Sequence, residues 1–158
     1  MKAKGVPALE VGTLPNGRRD SMLRGVIRAL LVDDVPDLRV LIRLALQNDG
    51  RFEVVGEAGD GEEGIRMATE LQPDAVLLDL AMPRMDGLTA IPGIRQACSA
   101  TRILAYSGFQ TDSLALKVID TCGDAYLEKG AAPERIADVF YQVATSPPKT
   151  LGVVRGWS

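Results

Sequence analysis

An α/β fold, an open and doubly wound parallel sheet of five strands between two helix layers, is predicted for this 158-residue chain by three observations. Short apolar runs alternate with amphipathic stretches from about residue 26 onward, the pattern of repeated β–α units. Five such units occur, and right-handed crossovers between parallel strands wind them into one sheet. The run LLDLAMPRMDG at 77–87 ends an apolar strand on a lone carboxylate, Asp79. An aliphatic strand has no structural use for a charge at its end, so Asp79 reads as chemistry placed at a sheet edge.

Residues 26–34 (VIRALLVDD) read as the first strand. Pro36 then opens a helix in which Leu38, Leu41, Ile42 and Ala45 recur at helical spacing and are expected to face the sheet. By the rule of 100° per residue, Val40 and Leu44 point the opposite way and read as a docking stripe for a partner's helices. Residues 52–58 (FEVVGEA) form the second strand, followed by an acidic turn and a helix through Ile65, Ala68 and Leu71. The third strand is 74–79, and its helix follows Gly87, with Pro92 expected to kink that helix or delay its start. Residues 101–108 (TRILAYSG) are the fourth strand, and Thr111 to Thr121 a helix stopped near Gly123. Residues 124–130 (DAYLEKG) are the fifth, and Pro133 opens a last helix with Ile136, Val139, Phe140 and Val143 on one face.

Composition narrows the chemistry. With 46% hydrophobic and 25% charged residues, the chain suits one soluble domain that folds without staples. The two cysteines, Cys98 and Cys122, read as small apolar residues of a reducing cytoplasm. No uninterrupted apolar stretch suggests a signal peptide or a spanning helix. Eighteen basic against 21 acidic side chains, without a basic stripe, give no nucleic-acid footprint. Histidine is absent, which excludes Ser-His-Asp and Cys-His nucleophiles and histidine-based zinc sites.

Ligands of doubly wound sheets sit at the carboxyl ends of the strands. Strand one ends in Asp33 and Asp34, strand three in Asp79, strand four in Ser107 and strand five in Lys129. Three neighbouring carboxylates repel one another unless a cation neutralises them, and a hard divalent ion such as Mg²⁺ fits oxygen donors of this kind. Asp34 and Asp79 are taken as direct ligands, Asp33 as holding a metal-bound water, and the backbone carbonyl of Ala81 as a further oxygen. The sequence leaves open which of the paired acids touches the metal. An aspartate can also carry a phosphoryl group as an acyl phosphate, with Mg²⁺, the Lys129 ammonium and the Ser107 hydroxyl each meeting one phosphoryl oxygen.

With VDD at 32–34, the LLDLAMPRMDG run, Ser107-Gly108 and YLEKG at 126–130 in this order, the chain resembles the receiver domain of two-component response regulators over 26 to about 145. The resemblance implies a flavodoxin-like fold with strand order 2-1-3-4-5. It implies phosphorylation on Asp79 from a phosphohistidine of a sensor histidine kinase or phosphotransfer protein. Ser107 and Tyr126 are then the switch pair, and the face of helix four, strand five and helix five binds a downstream partner, a phosphorylation-dependent dimer being one form of this. Residues 1–24 read as a flexible extension, 25–145 as the receiver domain and 146–158 as a tail or linker stub, too short for a helix-turn-helix module. On this reading the chain contacts neither nucleic acid nor membrane directly. Gly108, where alanine is usual, and Pro92 depart from the common pattern.

Two rivals remain. Aspartyl-phosphate phosphatases of the haloacid dehalogenase type also use a strand-end aspartate and Mg²⁺, but carry a second acid where Ala81 stands here. A regulator cut away from its DNA-binding domain is the other, and TSPPK at 145–149 resembles an interdomain linker. A decoy is set aside on charge. Gly59-Asp-Gly-Glu-Glu-Gly64 matches the dinucleotide fingerprint, with Asp79 20 residues beyond Gly59. Asp60, Glu62 and Glu63, however, crowd the helix N-terminus where a pyrophosphate would bind.

Overall fold

The computed structural model describes residues 25–108, 112–121 and 123–146, the side chains of 112–115 excepted. The expected N-terminal extension, Cys122 and all of the expected tail beyond Ser146 lie outside these residues. The elements run β1 (Ile27–Val32), α1 (Pro36–Asp49), β2 (Phe52–Ala58), α2 (Gly61–Leu71), β3 (Ala75–Asp79), α3 (Gly87–Ala97), β4 (Arg102–Ser107), α4 (Asp112–Asp120), β5 (Ala125–Glu128) and α5 (Pro133–Thr145). All strand pairs are parallel, in the order β2-β1-β3-β4-β5.

Because side chains alternate across a sheet, each strand feeds two cores. Leu31, Leu77, Leu104, Tyr106 and Leu127 pack against Ile42 and Leu46 of α1 and Ile136, Phe140 and Val143 of α5. Their neighbours Leu30, Val76, Leu78, Ala105 and Tyr126 pack against Ala68 of α2, Ile91 and Ile94 of α3 and Val118 of α4. Both faces of the sheet are therefore covered, as a parallel sheet requires.

The helix starts follow from local chemistry. Asp60 caps α2 by accepting from the Glu63 N–H at 2.9 Å, and the Glu63 carboxylate accepts from the Gly59 N–H at 2.9 Å. These bonds place the chain's own carboxylates at the N-terminal end of α2. Asp86 caps α3 through the Thr89 N–H at 2.8 Å.

One expectation needs correction, and one of two alternatives for Pro92 is decided. Leu41 does not face the sheet: it is 51% exposed, beside Val40 and Leu44. The buried residues of α1 are Ile42 and Leu46, with Leu38 and Ala45 half-buried on the same side. Leu46 pulls the apolar arc round, leaving Leu41 about 100° from its centre. Pro92 does not delay α3, which starts at Gly87 and carries Pro92 on its exposed side.

Candidate functional site

Strand alternation decides which strand-end side chains meet. Asp79 continues the Leu77 face of β3 and is paired in register with Tyr106 of β4. Asp33, two past Leu31, and Lys129, two past Leu127, continue the same face. Lys129 Nζ accordingly lies 3.1 Å from Asp79 Oδ2 and 3.6 Å from Asp33 Oδ2. Tyr106 donates its phenolic hydroxyl to Asp33 Oδ2, and Lys129 Nζ stands 4.9 Å above the centre of the Tyr106 ring. Ser107 belongs to the opposite face, where its side chain shares a hydrogen bond with the phenol of Tyr126.

The backbone around these groups is held closely. Asp33 Oδ1 accepts from the Val35 N–H at 2.8 Å, and Asp79 Oδ1 accepts from the Ala81 N–H at 3.0 Å. Arg39 of α1 donates to the Asp33 carbonyl and pairs with Glu57 of β2 at 3.5 Å. A Cβ on Gly87 would stand 2.3 Å from the Asp79 carbonyl oxygen, so glycine alone lets α3 begin against the end of β3. The Lys129 N–H donates to the Ser107 carbonyl at 2.7 Å, fixing the end of β5 to that of β4.

Asp79 and Asp33 are almost fully buried, at 0% and 1% exposure, while Asp34 is more open. Burial above all pushes the Asp79 carboxyl up to about 6, and the Asp33 charge adds to this; the Ala81 N–H and Lys129 oppose it. The Tyr106 phenol is pushed far up, first by burial and then by its bond to Asp33 and the nearby acids. Tyr126 is pushed up mainly by burial and by Glu128.

Asp33, Asp34 and Asp79 each offer a carboxylate oxygen, all within 4.8 Å of one another. Asp79 Oδ2 forms its ion pair with Lys129 but accepts no well-aligned hydrogen bond. Three acids against one ammonium leave an excess of negative charge in a largely buried cluster, a donor set that fits a hard divalent cation. Of the residues expected at the site, Asp33, Asp34, Asp79 and Lys129 converge. Ala81 adjoins them through its N–H, and Ser107 and Tyr126 pair with each other on the far face.

The family model of the response regulator receiver domain matches residues 29–141. The chain belongs to the response-regulator receiver family. This receiver is 37% identical over 131 residues to the transcriptional regulatory protein LiaR of Bacillus subtilis, covering 83% of this chain and 62% of LiaR. It is 36% identical over 115 residues to the nitrate/nitrite response regulator protein NarL of Escherichia coli K12, covering 73% of this chain and 53% of NarL. Among solved structures it superposes with a TM-score of 0.73 on the receiver domain of the putative response regulator NarL from Mycobacterium tuberculosis, at 28% identity, over 77% of this chain and 98% of that one. The fold is thus flavodoxin-like, and the receiver spans between about half and two thirds of the curated relatives' lengths.

Reading the sequence by strand ends missed Tyr106 and Arg39. The signal for Tyr106 was the period of two: counting from Leu104, position 106 shares the Asp79 face and position 107 does not.

Proposed function

We propose that this receiver accepts a phosphoryl group on Asp79 from the phosphohistidine of a sensor histidine kinase or phosphotransfer protein, and switches a partner-binding face. The observation that carries this reading is Asp79 itself: a fully buried strand-end carboxylate, 3.1 Å from an ammonium and within one cation's reach of two further acids. In the transfer an Asp79 oxygen attacks phosphorus, the P–O bond forms as the P–N bond breaks, and the departing imidazole keeps the electron pair and takes up a proton. Asp34 and Asp79, with the Ala81 carbonyl, would hold Mg²⁺, and Asp33 a water beside it. When bound, Mg²⁺ supplies positive charge to the phosphoryl oxygens. Lys129 pairs with another of those oxygens, and the Ala81 N–H holds the carboxylate in place.

The switch follows from Ser107. Its hydroxyl is engaged with Tyr126, so donating to a phosphoryl oxygen means changing partners and releasing the phenol. That exchange alters β5 and its neighbours α4 and α5, where Leu116 stands 58% exposed. A change from 1:99 to 99:1 needs about 5.5 kcal/mol of differential interaction. A few charge-assisted contacts of roughly 1.5–3 kcal/mol each cover that sum.

Incubation with a small acyl phosphate and Mg²⁺ tests the proposal: intact mass should show one added phosphoryl group on the wild type and none on Asp79→Asn. Absence of the adduct from wild type would overturn it. Rapid turnover of a phosphomonoester would instead favour the phosphatase rival, against which Ala81 speaks by offering no acid.

A second reading is favoured by kinship, since LiaR is named a transcriptional regulatory protein and matches over part of its length. The switching face then acts on transcription through a DNA-binding module. Electrophoresis with promoter DNA should show no shift by residues 25–146 alone, phosphorylated or not; a shift would give this segment a DNA-binding role of its own.

A further inference from the structure

Tyr106 is unexplained by the roles assigned so far. It is a 1% exposed tyrosine within the core, and its hydroxyl meets a carboxylate of the acid cluster rather than a backbone group. Asp33 consequently has both oxygens committed, Oδ1 to the Val35 N–H and Oδ2 to the phenol and to Lys129. The same aromatic ring lies under the Lys129 ammonium. One side chain therefore touches both the acid and the basic partner of Asp79 without touching Asp79 through a hydrogen bond.

We propose that Tyr106 is a positioning residue that sets the strength of cation binding: its hydroxyl fixes the Asp33 carboxylate and carries part of its charge, in competition with the cation, while its ring seats Lys129. This inference rests on the reading that the three acids hold a divalent ion. The physical basis is a thermodynamic cycle. A donor to a buried carboxylate stabilises the cation-free protein more than the cation-bound one, because the cation supplies the same compensation. Removing the hydroxyl must then cost the cation-free protein more stability, and the difference must reappear as tighter cation binding. A tyrosine that only fills core volume gives no such difference, since Phe keeps the ring.

The test uses Tyr106→Phe, which loses one oxygen and keeps the seat for Lys129. Thermal unfolding in EDTA and in saturating Mg²⁺, with Mg²⁺ titrated by calorimetry, should show a larger loss of stability in EDTA and Mg²⁺ binding tightened about fivefold to tenfold, the share of a charge-assisted hydrogen bond that a cation replaces. The near-UV tyrosine spectrum of the wild type should shift on adding Mg²⁺, and should still shift when Tyr126→Phe and Tyr141→Phe are combined, which leaves Tyr106 as the one tyrosine. That spectral arm holds whether or not the Tyr106→Phe variant folds. Equal losses in both buffers, unchanged or weaker Mg²⁺ binding, or a wild-type spectrum indifferent to Mg²⁺ while the melting temperature rises would overturn the role of Tyr106 and leave the cation reading standing. A wild type that Mg²⁺ does not stabilise at all would overturn both.

Discussion

Asp79 carries the clearest consequence of burial. Its carboxyl is raised from the ordinary 3.8 to about 6, so the contribution it makes to stability is fully present below about pH 4 and is lost as pH rises through 6. In EDTA the melting temperature should therefore fall between about pH 4 and 6.5 by more in wild type than in Asp79→Asn. Saturating Mg²⁺ should remove that excess, because a bound cation favours the ionised form. Equal pH profiles for the two proteins in EDTA would contradict the assignment. At this scale the sequence was legible where a polar residue interrupts an apolar run, as at Asp33, Asp34, Asp79 and Lys129. It was opaque at Tyr106, because an aromatic inside a strand reads as packing until the alternation is counted from its neighbours. Ser107 shows the same limit: being last in β4 announces a polar end but not the face on which it lies.

Among the elements, the start of α3 is the most constrained. Gly87 brings its backbone against the end of β3, so Gly87→Ala should force apart the segments that aim Asp79. The overpacking should cost roughly 1–3 kcal/mol of stability by urea denaturation. Labelling by an acyl phosphate should slow at the same time, whereas a loss of stability with an unchanged labelling rate would separate α3 from the site. Helix α1 offers a different case. Val40, Leu41 and Leu44 are exposed together, a broader apolar strip than the two residues the sequence suggested. Val40→Asp with Leu44→Asp should slow transfer from a histidine kinase yet leave labelling by a small phosphodonor intact, and equal loss of both would remove α1 as a docking face. The existence and order of the elements were readable from periodicity. The rotation of α1 was not, because four apolar positions define a stripe without saying which flank a fifth, Leu46, will pull inward.

For the whole molecule, one sheet joins two cores, and the α1–α5 side holds a stacked aromatic pair. Phe140 stacks on Phe52 with ring centres 5.4 Å apart, and both are buried. Phe140→Ala should cost about 3–5 kcal/mol and lower the denaturant midpoint with little change in slope. If the slope changes as well, the cores on the two sides of the sheet do not unfold together. The five-stranded architecture was legible because each β–α unit repeats the same alternation, while the meeting of side chains from four strands depends on register, which no single stretch of sequence contains. Register also governs the hydrogen bond from the Lys129 N–H to the Ser107 carbonyl. Hydroxyl and ammonium hang from a single rung, so a residue inserted within β4 would misplace the pair as a set, and a substitution confined to either one has no means of repairing the geometry of both.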